Sequence, residues 1–226
     1  MAIKAILFDI DNTLMDFMKM KRECCKAAMD AMISVGLKTD QDKGMKILYE
    51  LYDIYGIEYQ FIFRNLLKAL GGKIDYKIIA HGIIAYRKMR ESHLVPYPDV
   101  ISTLIELKKN YRLAVVSDAP VLQAWMRLVT MKLDSFFDVV ITKADARKQK
   151  THAAPYRAVL RELKLKPEEA VMVGDRIARD VDTAKKLGLK TIYARYGDIH
   201  QAERGKSGAD AEIESISEVV NVVKGF

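Results

Sequence analysis

Five short apolar runs punctuate the chain: "IKAILF" (3–8), "RLAVVS" (112–117), "FDVVIT" (137–142), "AVMVGD" (170–175) and "KTIYAR" (190–195). Runs of this length with little polar alternation predict strands covered on both faces, as in a parallel sheet. Between the later runs the apolar positions switch to a helical period, at 100–110, 154–163 and 180–188. The last segment ends on Gly188, a C-capping residue. Strand alternating with helix predicts an α/β fold built on a doubly wound, Rossmann-like parallel sheet.

Residues 17 to about 92 break this rhythm. Four amphipathic stretches occur there, three of them stopped by Gly36, Gly56 and the Gly71–Gly72 pair, and the fourth covering "DYKIIAHGIIAYRKMRES". Four helices with short glycine-containing links predict a small bundle. Met29, Met32, Tyr52, Phe61 and Phe63 fall largely at helical spacing and are expected in its core. The prolines of "VPYPD" (95–99) predict an extended hinge. The expected organisation is a sheet domain, 1–16 with 94–226, interrupted after its first strand by a four-helix insert, 17–93.

Composition narrows the function. With 226 residues, half of them hydrophobic, the chain can bury a full core. No apolar run approaches the roughly 18 residues needed to span a bilayer. Acids interrupt the N-terminal apolar stretch at once, unlike a signal peptide, so a soluble, cytoplasmic protein is expected. Cys24 and Cys25 are adjacent, and neighbours on a helix point about 100° apart, a poor disulfide geometry. No Cys/His spacing resembles a zinc site. The net charge of +7 is dispersed, with no dense basic stripe interleaved with aromatics. That pattern argues against nucleic acid and suits attraction of a small anion. Neither membrane nor nucleic acid is expected as a partner; the chain is expected to be a monomer or homodimer.

The candidate chemistry follows from what stands after each apolar run. Asp9, Asp11 and Thr13 follow the first, Ser117 and Asp118 the second; Gly174 and Asp175 close the fourth, with Asp180 five residues on, and Lys150 lies between the last two groups. Parallel strands deliver functional groups at their C-terminal ends, so acids, a hydroxyl and an ammonium are expected along one sheet edge. Two carboxylates about 4 Å apart repel by roughly 4 kcal/mol at an effective dielectric near 20. A hard divalent cation such as Mg²⁺ offsets this repulsion. Ser117 and Lys150 could then hold phosphate oxygens, and an aspartate beside the metal could attack phosphorus.

These residues resemble the haloacid dehalogenase superfamily. Its D-x-D-x-T motif is matched by Asp9 to Thr13, its Ser/Thr motif by Ser117, its lysine motif by Lys150 in "KTHAAPY", and its G-D-x-x-x-x-D motif by Gly174, Asp175 and Asp180. Thr151 and Ala153 depart from the K-P-x-P of many relatives, which leaves Lys148 as a rival for Lys150. The resemblance implies a Mg²⁺-dependent phosphatase acting on a small phosphorylated metabolite through an aspartyl-phosphate. It implies Asp9 as nucleophile, Asp11 as general acid and base, and Ser117 and Lys150 as phosphate binders. It implies metal contacts from Asp9, the Asp11 carbonyl, Asp175 and, through water, Asp180. Thr13 is expected to brace the loop with Gly174 in support, and the helical insert to be a substrate-selecting cap. Asp118, where relatives often carry Asn, is open; Arg176 and Arg179 read as surface charges. Family dehalogenases usually lack the second aspartate, so Asp11 favours phosphate-ester hydrolysis over dehalogenation. A phosphomutase would also keep Asp11, and a family member retained as a non-catalytic regulatory protein stays open beside it.

Overall fold

The computed structural model describes residues 2–200 and 205–226. By chain contacts it separates into two compact units, Met1–Phe17 with Leu94–Phe226, and Met18–His93. In chain order the regular elements are β1 (Ala5–Phe8), α1 (Phe17–Ser34), α2 (Gln41–Tyr55), α3 (Ile62–Ala69), α4 (Tyr76–His93), α5 (Val100–Lys108), β2 (Arg112–Ser117), α6 (Val121–Thr130), β3 (Val139–Thr142), α7 (Lys143–Ala146), α8 (Ala154–Leu163), β4 (Ala170–Gly174), α9 (Asp182–Lys186), β5 (Lys190–Ala194), β6 (Ala211–Ile213) and α10 (Val219–Lys224).

The first unit is a six-stranded sheet in the order β3-β2-β1-β4-β5-β6, with every pairing parallel. β1 is central: Ala5 pairs with Arg112 on one side and Ala170 on the other. All four β1 residues are fully buried, which is why the sequence there shows no polar alternation. Ala5, Leu7, Ala114, Val116 and Met172 share one face with Tyr156, Val159, Leu160 and Leu163 of α8 and Ala184 of α9. Because pleated neighbours alternate, Ile6, Phe8, Val115 and Val173 bury on the opposite face. Since the sheet is parallel, β1, β2 and β4 end at the same edge.

Five elements differ from expectation, two of them the short helices α7 and α10, which the apolar pattern does not predict. α6 has no counterpart in the predicted helices, although Ala124, Leu128 and Met131 form a buried stripe at helical spacing. β6 is only three residues, two of them half-exposed, and lacks an apolar run. The helix expected over 180–188 is split: a wide π-type turn, Ile177–Val181, carries Asp180, and the α-helix begins only at Asp182.

The second unit holds α2, α3, α4 and all of α1 beyond Phe17. Cys25, Met29 and Met32 of α1 pack with Leu48 and Tyr52 of α2, Phe63 and Leu66 of α3 and Ile78 of α4. Asp40 caps α2 by accepting the N–H of Lys43 at 2.8 Å. A Cβ on Gly44 or Gly82 would come within 2.6 Å of a methionine sulfur, so the helices approach closely there. Phe61, expected in this core, is 63% exposed because it precedes α3 and turns toward Tyr59. Cys24 and Cys25 are buried free thiols. Among the described residues, no helix is long and apolar enough to cross a membrane.

Strand β6 is tied to β5 by Asp210. Its Oδ2 accepts the N–H of Thr191 at 2.9 Å and the Thr191 hydroxyl at 3.0 Å. Burial opposes ionisation of Asp210, but the Thr191 bonds and the neighbouring Lys185 and Lys190 outweigh it and hold the carboxyl below its ordinary value. An acid held below its unfolded pKa contributes stability above that pKa and loses it as pH falls through the folded one. Asp210→Ala is therefore expected to cost about 1–3 kcal/mol at pH 7, and urea titrations should show the gap to wild type closing as pH drops below about 4.

Candidate active site

β1 delivers Asp9 into a tight loop. Asp9 N–H donates to Val173 O at 3.0 Å, extending the β1–β4 pairing, and the N–H groups of Thr13, Leu14 and Met15 all turn back onto Ile10 O at 2.9–3.3 Å. This folding requires Asn12 at φ 58°, a left-handed conformation that asparagine tolerates better than most residues. Tyr196 OH donates to Thr13 O at 2.8 Å. Gly197 lies so close that a Cβ there would sit 1.6 Å from Asn12 O. Thr13 is fully buried, but its hydroxyl has no hydrogen-bond partner among the described residues. Tyr196 and the Ile10 carbonyl therefore brace this loop, not the Thr13 side chain.

The acids from β1 and β4 converge. One carboxylate oxygen from each of Asp9, Asp175 and Asp180 lies within 4.8 Å of the others, and all three residues are buried. Lys150, 1% exposed, places Nζ 2.7 Å from Asp9 Oδ2 and 2.6 Å from Asp180 Oδ1. Asp9 Oδ1 accepts the N–H of Ile10 at 2.8 Å, and Asp180 Oδ2 that of Arg176 at 3.0 Å. At Gly174 a Cβ would come within 2.4 Å of the Asp180 carboxyl, so glycine is what lets Asp180 reach the cluster. Ser117 ends β2, the direct neighbour of β1, and its Oγ accepts the N–H of Ala119 at 3.2 Å.

The charges explain the electrostatics. Burial and the neighbouring Asp180 and Asp9 push the Asp175 carboxyl up to about 8, against the pull of Lys150 and Arg176. Burial likewise pushes Asp180 up to about 6 despite Lys150. Burial works against the Lys150 ammonium, yet Asp180 and Asp9 together hold its pKa well above the usual value. Three carboxylates face one buried ammonium, a formal excess of two negative charges that one divalent cation would cancel. Asp175 Oδ1 is buried with no hydrogen-bond partner among the described residues, as an oxygen reserved for a metal would be. The residues thus fit a hard divalent ion.

Lys150 and not Lys148 reaches the acids; Lys148 is exposed. The backbone behind Lys150 explains its aim. Asp118 Oδ1 accepts the Lys150 N–H at 2.8 Å, and its Oδ2 accepts Arg179 NH1 at 3.0 Å. Arg179, read from sequence as a surface charge, is corrected here: it is partly buried and tied to Asp118. The buried Tyr156 donates its hydroxyl to Arg179 O at 2.6 Å, fixing the same turn. Asp11 points elsewhere. Its Oδ2 accepts Arg127 NH1 at 3.0 Å, and Arg127 is 5% exposed. Sequence reasoning missed Arg127, though it falls among Ala124, Leu128 and Met131 on the buried stripe of α6, where a charge signals a partner.

A family model described as haloacid dehalogenase-like hydrolase matches residues 6–194. The chain is a haloacid dehalogenase-like hydrolase. It is 37% identical to a glyceraldehyde 3-phosphate phosphatase of Methanocaldococcus jannaschii over 225 residues, covering 99% of this chain and 98% of that one. A protein of the same name from Pyrococcus furiosus is 33% identical, covering 98% and 93%. A crystal structure of a HAD phosphatase from Thermococcus onnurineus superposes with a TM-score of 0.71 at 27% identity, covering 99% of both chains. The Rossmann-like sheet expected from the apolar runs is the sheet of this family.

The raised Asp175 carboxyl sets a pH test for the metal-free hydrolase. An acid raised above its unfolded value contributes stability that is lost as pH rises through the folded pKa. In chelator, the unfolding midpoint should fall between pH 6 and pH 8, Asp175→Asn should melt about 2–8 °C above wild type at pH 8, and added Mg²⁺ should stabilise wild type more at pH 8 than at pH 6; scanning calorimetry reads all three. A midpoint independent of pH and metal would show that the acids do not form a cation site.

Proposed function

We propose that this hydrolase is a Mg²⁺-dependent phosphatase that cleaves a small phosphate monoester through an aspartyl-phosphate on Asp9. The observation that carries the reading is the split of the two loop acids. Asp9 is buried, pinned at Oδ1 by the Ile10 N–H and matched at Oδ2 by Lys150, whereas Asp11, two residues on, lies outside the acid cluster with a cation of its own. One carboxylate is set to act on phosphorus and the other to move a proton.

Asp9 attacks the phosphorus; the new O–P bond forms as the ester P–O bond breaks, and Asp11 gives its proton to the departing oxygen. Asp11 then takes a proton from water, which attacks the phosphorus of the aspartyl-phosphate and releases inorganic phosphate, restoring Asp9. Lys150 and Ser117 hold the non-bridging oxygens, and Asp118 with Arg179 fixes the backbone that aims Lys150. Asp9, the Asp11 carbonyl and Asp175 would hold Mg²⁺, with Asp180 supporting; when bound, the ion neutralises charge on the transferring group. The Thr13 carbonyl, held by Tyr196, serves the shape of the loop, and Gly174 the approach of Asp180. The inserted helical unit is assigned the choice of substrate. The names of the full-length relatives make glyceraldehyde 3-phosphate the first candidate.

Phosphate release from p-nitrophenyl phosphate and from glyceraldehyde 3-phosphate is expected with Mg²⁺ and not with chelator. Asp9→Asn should reduce both by about 10³-fold or more with the fold retained. Full activity of that variant would remove Asp9 as nucleophile; chloride release from 2-chloropropionate without metal would favour dehalogenation.

A further inference from the structure

With Asp11 read as the proton-transfer group, the geometry points to Arg127 as the residue that positions it. Arg127 lies in the last turn of α6 on the stripe formed by Ala124, Leu128 and Met131, and is itself 5% exposed. An apolar side chain would complete that stripe without the desolvation a buried guanidinium suffers. Among its contacts, one reaches the catalytic loop and one the first residue of α1. The guanidinium lies 4.7 Å from the centre of the buried Phe17 ring, and NH1 donates to Asp11 Oδ2 at 3.0 Å. Phe17 on one side and α6 on the other leave the planar group little freedom, so the hydrogen bond sets the direction of the Asp11 carboxylate.

The backbone bonds onto Ile10 O, the Asp11–Met15 bridge and the left-handed Asn12 fix the main chain of Asp11, and Arg127 NH1 meets its carboxylate. Lys150, the cation of the acid cluster, is already shared by Asp9 and Asp180. A second, separate cation keeps Asp11 from competing for it. Arg127 thus acts through Asp11 and needs no contact with the substrate.

The leaving group separates this role from a structural one. An alkoxide needs a proton as it departs; p-nitrophenolate leaves as a stable anion. Rapid-quench first turnovers on the full chain with Mg²⁺ would compare glyceraldehyde 3-phosphate with p-nitrophenyl phosphate. Arg127→Met should slow alcohol release about 10- to 100-fold, change p-nitrophenol release by less than about 3-fold, and leave KM for both nearly unchanged. In an Asp11→Asn background the same change should add less than about 2-fold to the loss of alcohol release. Arg127→Lys, which keeps the charge but not the planar fork, should fall between wild type and Arg127→Met, and it carries the test if circular dichroism shows the methionine variant unfolded. Equal losses on the two substrates, a loss confined to KM, or additive losses with Asp11→Asn would overturn the assignment. Wild-type protein inert towards both substrates would instead overturn the phosphatase reading, and this inference with it.

Discussion

The site is organised around one ammonium group buried between two carboxylates. Lys150 contacts Asp9 from the end of β1 and Asp180 from the turn after β4, so a single side chain joins segments separated by about 170 residues of chain. A buried charge is tolerated only with partners in good geometry, and these partners are themselves carboxylates crowded against a third. The cluster is therefore interdependent: removing the lysine leaves buried acids that repel, and removing Asp9 or Asp180 leaves the ammonium with one direct partner. Asp175 registers burial and the remaining imbalance in its raised carboxyl.

The fold brings this about with modest means. Parallel pairing aligns the ends of β1, β2 and β4, so residues far apart in sequence emerge at one edge. Backbone fit then refines the placement. Gly174 gives Asp180 room to approach, and Gly197 lets a loop after β5 press against the one that carries Asp11. Around the charged centre lies a second layer of contacts, in which Asp118, Arg179 and Tyr156 aim Lys150 and Arg127 meets Asp11.

Much of the sheet was legible because double burial leaves an unmistakable run of apolar residues, as in β1 and β4. β6 was not, since a three-residue edge strand, two of its residues half-exposed, has no such run. α6 was overlooked because its buried stripe includes an arginine, which interrupts the apolar pattern that betrays a helix. Among the expected site residues, Asp9, Asp175, Asp180 and Lys150 come together; for the acids their place after strands was the usable signal, and for Lys150 the match to the lysine motif. The contacts of Asp118, Arg179 and Arg127 were hidden for a common reason: each is a pairing between distant segments, and a single sequence carries charge without carrying partners. Phe61 erred the other way, an aromatic at helical spacing that falls just before its helix begins.

The π-type turn at Ile177–Val181 has a consequence for how this chain can change. Arg179 and Asp180 are consecutive, yet one secures the main chain of Lys150 by way of Asp118 while the other touches the ammonium itself. Both attachments depend on the number of residues between Gly174 and α9. One amino acid inserted or deleted there would rotate the two side chains away from the lysine together, so this stretch is closed to length variation even where its individual residues could be exchanged.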